Sequence, residues 1–431
     1  MPPPRPPIGA RAFTHYRIEH MEDVVITSGV RTAIGKFQGS FADVPASDLG
    51  AHVIREAVAR AGIAPESVDQ VIMGIVGQAA EDAYLSRHST VKAGLPIGTP
   101  AMNVNRICGS GLEAINTASR IIQSGDADVV VAGGAENMTR MPFYLRKARG
   151  GYRLGHDSIE DGIIHMLSDP FKGYHMGITA ENLAEQFEVS RVAQDEFSAE
   201  SQRRAIAAIE AGRFVDQIAP MTVKIGREDK VFDVDEYPRA TTPDALGKLR
   251  PAFKEGGVVT AGNASGINDG AAAVTVMSAS KAKELGATPR LRIVARAEAG
   301  VDPSIMGSGP IPAIRKALAK ASMNLDQIDC IELNEAFASV SCACSSELSL
   351  DPAKVNPNGG AIALGHPLGA TGAILTVKLM YELERTGGRF GIVSLVHRRR
   401  PGDRDDLRAR QLGRSRRQTQ GKGSRKAPLL C

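Results

Sequence analysis

The chain has 431 residues, 43% hydrophobic and 23% charged, enough to bury a large core across two or three domains. It has no apolar run of 18 residues and no apolar stretch near its N-terminus, which argues against a transmembrane helix and against secretion and points to the cytoplasm. The net charge of +4 is misleading, because Val396 to Cys431 carries ten Arg and two Lys against three Asp, leaving the preceding body net negative. The five cysteines are irregularly spaced, which predicts no disulfide framework and a reducing compartment; the close pair Cys342 and Cys344 is not a metal site by spacing.

Residues 1–20 are rich in Pro and Arg, without helical or strand period, and read as a disordered N-terminal extension. Met21 stands immediately before the first strand, Val24–Ser28, and is the expected natural start. A helix over Asp48–Ala61 and a strand over Val71–Val76 follow. A short strand over Ala101–Asn105 leads to a turn holding Cys108. Leu112, Ile115, Ala118 and Ile122 then fall at helical spacing until Gly125 stops them. The next strand, Val129–Ala132, ends at Gly133-Gly134. This alternation predicts a layered α/β sheet, with a first half over 21–286. From about 138 to 260 the regularity gives way to an excursion with helices over Thr179–Phe187 and Ala193–Ala211, the kind of segment that carries binding residues. The βα pattern resumes near Val274–Met277.

The second half, 287–395, repeats the first. Arg55 to Asp69 aligns without gaps on Arg315 to Asp329, and both lead into strands, Val71-Ile-Met-Gly and Ile331-Glu-Leu-Asn. Asn103-Val-Asn105 before the Cys108 turn corresponds to Asn356-Pro-Asn358 before a second glycine-rich turn. Two halves of one topology imply a pseudo-two-fold with a site between them.

The candidate chemistry lies at those turns. Cys108 sits between a strand and a helix, where helix N–H groups and the helix dipole are expected to lower a thiol's pKa. His366 stands in Asn358-Gly-Gly-Ala-Ile-Ala-Leu-Gly-His366-Pro-Leu-Gly-Ala-Thr-Gly372, a loop that matches no nucleotide fingerprint well. The repeat sets His366 opposite Cys108 as the base that takes the thiol proton. Asn334 opens Asn334-Glu-Ala-Phe-Ala338 and reads either as a helix N-cap or as an amide that orients a water or polarises a thioester carbonyl. Gly262-Asn-Ala-Ser265-Gly-Ile-Asn-Asp-Gly270 could contact a large ligand or be an ordinary connection, and His175-Met176 at the start of a helix is equally ambiguous.

Together, in this order, Asn105-Arg-Ile-Cys108-Gly-Ser-Gly, Gly262 to Gly270, Asn334-Glu-Ala-Phe-Ala and Gly359 to Gly369 resemble the thiolase family, over about 23–395. The resemblance implies duplicated α/β halves in an αβαβα layering with an inserted loop domain, forming a homodimer or homotetramer. It implies an acetyl-CoA C-acyltransferase of fatty acid metabolism, working by reversible Claisen condensation or by thiolysis as in β-oxidation. It assigns Cys108 as the acylated nucleophile, His366 as its activator, and Asn334, through a water, as half of an oxyanion site with His366. Ser265, His175, Met176, Ala336 and Phe337 become substrate and coenzyme A contacts. Acyl-CoA and coenzyme A are substrates and partners; no cofactor, metal, nucleic acid or membrane is implied.

One position departs from the family. Thiolases place a second acid/base cysteine in a Cys-x-Gly-Gly-Gly turn after the last core strand. Here that strand, Arg389–Leu395, is followed by Val396-His-Arg-Arg-Arg-Pro-Gly-Asp-Arg404. Valine cannot shuttle a proton, so condensation and thiolysis are expected to be impaired while acylation survives. Codons for Val396 to Arg404 exist that encode Cys-Ile-Gly-Gly-Gly-Gln-Gly-Ile from their second base, so a frameshift is the expected origin of the basic tail, 396–431. Other readings are a non-catalytic acyl-CoA-binding or scaffold subunit, a ketoacyl synthase, which Asn334 in place of a second histidine opposes, and a nucleic-acid-binding tail, which lacks aromatic residues.

Overall fold

The computed structural model describes residues 22–396 and the backbone of 427–430. The expected N-terminal extension and nearly all of the basic tail lie outside the described residues.

In chain order the first half contributes β1 (Val24–Arg31), β2 (Gly35–Lys36), α1 (Ala46–Ala61), β3 (Gln70–Gly74), α2 (Leu85–Lys92), β4 (Ala101–Val104), α3 (Ser110–Ser124) and β5 (Val129–Asn137). The excursion holds two small hairpins, β6 (Phe143–Tyr144) with β7 (Glu160–Asp161) and β8 (Met221–Ile225) with β9 (Glu228–Phe232). It also holds α4 (Gly162–Met166), α5 (Met176–Gln186), α6 (Arg191–Glu210) and α7 (Pro243–Gly247). β10 (Asn268–Ser278) and α8 (Ala279–Glu284) complete that half. The second half comprises β11 (Leu291–Ala295), α9 (Pro310–Ala321), β12 (Cys330–Leu333), α10 (Ala338–Leu348), α11 (Ala361–Leu364), α12 (Leu368–Thr386), β13 (Gly391–Ser394) and β14 (Ala427–Leu430).

Among the described residues these strands form one ten-stranded sheet, in the order β12-β13-β14-β11-β1-β10-β5-β3-β4, with β2 beside β10. The halves join where β11 pairs with β1. The internal repeat is visible in the elements. The 3-10 turn Pro65–Ser67 and β3 have counterparts in Leu325–Gln327 and β12, and Val355 bridges Ile331 as β4 pairs with β3. α1 and α2 cover one face of the first-half strands, and α9 and α10 pack on the second-half side. α3 and α12 lie between, with α12 touching strands of both halves. That placement explains why α12 is buried nearly all round instead of along one stripe.

α3 and α12 touch through their backbones. A Cβ at Gly372 would lie 2.2 Å from the Leu112 nitrogen, and one at Gly111 would lie 2.9 Å from the Ala373 nitrogen. Only glycine permits this approach, and it brings the N-terminal turns of the two helices together. Those turns carry Cys108 and His366.

β1 runs on to Arg31 and β10 begins at Asn268, both longer than the sequence expectation, and two further differences bear on the site and the sheet. β5 continues through Gly133-Gly134 to Asn137, because these glycines let β10 and the first turn of α12 approach: a Cβ at Gly133 would sit 2.1 Å from the Ala272 oxygen, and one at Gly134 2.0 Å from the Gly369 oxygen. The basic tail, for which no strand was expected, supplies β14. Its backbone runs parallel to both β11 and β13, whereas β10, between β1 and β5 at the equivalent place in the first half, is antiparallel to both neighbours.

Candidate active site

Cys108 is delivered by a tight turn out of β4. Ile107, before it, has φ +50, a sparsely populated value for a β-branched residue. The Ser110 hydroxyl holds the turn, donating to the Ile107 carbonyl at 2.6 Å and accepting from the Arg106 N–H at 2.8 Å. The N–H groups of Gly109 and Ser110 are used by the Arg106 and Ile107 carbonyls, so part of the helix N-terminus is already satisfied.

The electrostatics overturn the expectation of a lowered thiol pKa. Cys108 is 7% exposed and packs with Val76, Met138, Ile163 and Leu368. Burial pushes its thiol up to about 12; its own backbone N–H opposes this, and the carboxylate of Glu136 adds to it. In an apolar wall without a cation, desolvation outweighs the dipole. The resting form is a neutral thiol that needs a base at the moment of attack.

His366 is also buried, and burial pushes its pKa down to about 4, so it stands neutral. Its backbone N–H donates to Asn268 Oδ1 at 2.9 Å. Nδ1 lies 2.7 Å from Thr371 Oγ1, and that hydroxyl donates its proton to the Pro367 carbonyl at 2.8 Å. Thr371 must therefore accept, which places the ring proton on Nδ1 and leaves Nε2 as the basic nitrogen. Nε2 lies 3.3 Å from Asn334 Nδ2. Asn334 is not an N-cap, since α10 begins at Ala338 with Phe337 at the cap. Its backbone N–H donates to Ser394, and its buried Oδ1 has no protein partner among the described residues.

Cys108 and His366 open into one cavity of about 350 Å³, whose lining includes His175, Met176, Ser265, Ala336 and Phe337. Asn334 reaches it through His366. His175 caps α5, accepting from the Gly177 N–H at 3.0 Å, and stacks on Phe253 with centroids 4.7 Å apart. Ser265 donates through both its N–H and its hydroxyl to the Ala336 carbonyl. The walls are otherwise apolar (Met138, Met166, Met306, Leu368) and suit an acyl chain or the thiol arm of a large ligand. Asn268, Thr371 and Phe253 went unnoticed in sequence as site residues. Thr371 lies within the His366 loop, and its place five residues after the histidine was the available signal.

Val396 occupies the position where the family pattern expects a cysteine. It is 2% exposed and belongs to an apolar cluster with Ile331, Leu333 and Val340.

Residues 24–280 match the family described as thiolase, N-terminal domain, and residues 287–402 match thiolase, C-terminal domain. The chain belongs to the thiolase family. An acetyl-CoA acetyltransferase of Pseudomonas aeruginosa is 52% identical over 378 residues, covering 87% of this chain and 96% of that protein. A beta-ketothiolase of Cupriavidus necator is 51% identical, covering 86% and 95%. In structure, this thiolase superposes on the Bacillus anthracis acetyl-CoA acetyltransferase with a TM-score of 0.86 at 48% identity, covering 88% and 96%. It superposes on human mitochondrial 3-ketoacyl-CoA thiolase in complex with CoA with a TM-score of 0.84 at 42% identity, covering 88% and 95%. Its class is therefore that of an acyltransferase with a thiolase fold.

Proposed function

We propose that this thiolase transfers acyl groups from coenzyme A thioesters through an acyl-cysteine on Cys108. The observation that carries the reading is the neutral pair in one cavity, a thiol at Cys108 and a His366 whose bare Nε2 is fixed by Thr371. Nε2 takes the Sγ proton as sulfur attacks the thioester carbonyl. The new C–S bond forms, the old one breaks, and the departing coenzyme A thiolate takes the proton back from His366. One thioester replaces another, so the step is nearly balanced and reversible. His366 and, through a water, Asn334 stabilise the carbonyl oxygen as it gains charge, and Ser265, His175, Met176, Ala336 and Phe337 support the thioester arm.

Carbon–carbon bond formation asks for more. A base must remove a proton from the methyl of a second acetyl-CoA, or return one in thiolysis. Val396 cannot, so acylation and acyl exchange proceed while condensation and thiolysis are impaired. Radiolabelled acetyl-CoA should label Cys108 and exchange label with free coenzyme A. Acetoacetyl-CoA thiolysis should be slower by roughly 100-fold or more than in an intact homologue. Unlabelled Cys108 would refute the first statement and homologue-like thiolysis the second, and thioester binding without labelling would favour the scaffold reading.

We also infer a homodimer or homotetramer working in the cytoplasm. β4 is an outer strand of the sheet and offers an edge to a second copy. Among the described residues no helix is long and apolar enough to cross a membrane.

A further inference from the structure

The loops that carry Cys108 and His366 come from different halves of the chain, and a single carboxylate ties them. Glu136 lies one residue before the end of β5 and is 1% exposed. Its Oε2 accepts from the Val76 N–H at 2.9 Å and from the Gly369 N–H at 2.8 Å, and its Oε1 accepts from the Gly77 N–H at 2.9 Å. Val76 is in the apolar wall against Cys108, and its carbonyl accepts from Asn105 Nδ2, in the turn that delivers the cysteine. Gly369 is in the first turn of α12, three residues after His366. Both glycines leave room for the carboxylate: a Cβ at Gly77 would lie 3.0 Å from Oε1, and one at Gly369 2.8 Å from Oε2.

We infer that Glu136 is a positioning residue for the Cys108–His366 pair, a three-donor clamp that fixes the wall beneath the thiol against the turn that carries its base. Only a carboxylate suits the place. Three N–H groups converge on two oxygens, and a glutamine would offer one oxygen and turn an NH₂ group toward a donor. The clamp has an electrostatic cost. It lies uncompensated by a cation among the groups that act on it, burial pushes it up to about 7, and its charge opposes ionisation of Cys108. A carboxylate that makes the nucleophile harder to ionise is kept for its geometry.

That opposition separates the alternatives. If Glu136 acted only through its charge, Glu136→Gln would speed attack by Cys108. If it only supported the fold, the folded variant would react at the wild-type rate. If it is a positioning residue, Glu136→Gln slows the reaction, and does so through His366. The inference rests on Cys108 being acylated, which labelling of the wild type tests separately. The experiment is a double-mutant cycle with Glu136→Gln and His366→Ala on the full chain, reading the rate of Cys108 acetylation by acetyl-CoA and its alkylation by iodoacetamide, with thermal melting as the control for folding. The expected result is a fall of about 10- to 100-fold from Glu136→Gln alone and less than about twofold in the His366→Ala background. An unchanged or faster rate, or the same factor in both backgrounds, overturns the proposal. Should Glu136→Gln fail to fold, Glu136→Asp, which keeps the charge on a shorter arm, enters the same cycle. It should give a smaller loss that likewise disappears without His366, and persistence of the full loss there would overturn the proposal.

Discussion

The Thr371 hydroxyl lies 2.7 Å from His366 Nδ1 and, with its proton committed to the Pro367 carbonyl, can only accept from the ring. The tautomer of the base is thus set by a residue that does not line the cavity. Thr371→Val keeps the shape and removes the acceptor. Acetylation of Cys108 should fall about tenfold or more with little change in thioester binding, checked by single-turnover labelling beside equilibrium binding. A change in binding alone would contradict the assignment.

The pH dependence should be unlike that of an exposed cysteine–histidine pair. His366 titrates near 4 and Cys108 near 12, both moved by burial. The titrations of His366 and Cys108 should therefore put no inflection of the Cys108 alkylation rate at 6.5 or 8.5; the rate should fall as pH drops toward 4, with a separate change near 7 where Glu136 takes up a proton. Stability follows the same sign. A histidine with a depressed folded pKa contributes stability that is present above 6.5 and lost as pH falls from 6.5 through 4, worth about 3 kcal/mol. Glu136 acts in the opposite sense: its raised pKa means stability present below 4.5 and lost as pH rises through about 7. Denaturant unfolding of wild type and His366→Gln between pH 4 and 7 checks this, with the variant losing less stability on acidification.

Gly134→Ala should damage fold and site together. The new methyl would lie 2.0 Å from the Gly369 oxygen and 2.8 Å from its carbonyl carbon, backbone atoms in the turn after His366. We expect about 3 kcal/mol of destabilisation by urea unfolding, together with slower acetylation of the protein that remains folded. Wild-type stability would show that this contact relaxes freely.

His175 separates binding from chemistry. His175→Ala removes the stack on Phe253 and the cap on Gly177, each worth about 1 kcal/mol. Acyl-CoA binding should weaken severalfold in titration calorimetry, while iodoacetamide alkylation of Cys108 stays near wild type. Equal losses in both would assign His175 to the chemistry.

The codons for Ser394 to Arg400 should contain one base more than the ancestral gene. Resequencing that stretch checks it; an unbroken frame without the extra base would make Val396 a true replacement.

Much of the site was legible in sequence, because glycine-flanked Cys108 and His366 and the Asn334-Glu335-Ala336-Phe337 run stand out locally, and because the two halves repeat. What was not legible depends on long-range packing. Glu136 meets Gly369 across 233 positions, and Asn268 holds His366 across 98. Gly133 and Gly134 read as the end of a strand until the elements pressed against them are known. The direction of the thiol's pKa is hidden from the sequence for the same reason. A turn motif announces the dipole, but only the assembled wall of Val76, Met138, Ile163 and Leu368 reveals the desolvation that outweighs it.

The reversed direction of β14 bears on solubility. Without it, β11 and β13 would face each other as two unsatisfied sheet edges in the middle of the molecule, each a template for a neighbouring chain. Four residues running the opposite way to their first-half counterpart meet that backbone demand along Leu291–Ala295 and at Gly391 and Ile392. The gap is closed by main-chain hydrogen bonding, which a short strand can supply in either polarity. Backbone pairing of this kind depends little on side chains, so the two inner edges stay covered whatever residues the closing strand carries.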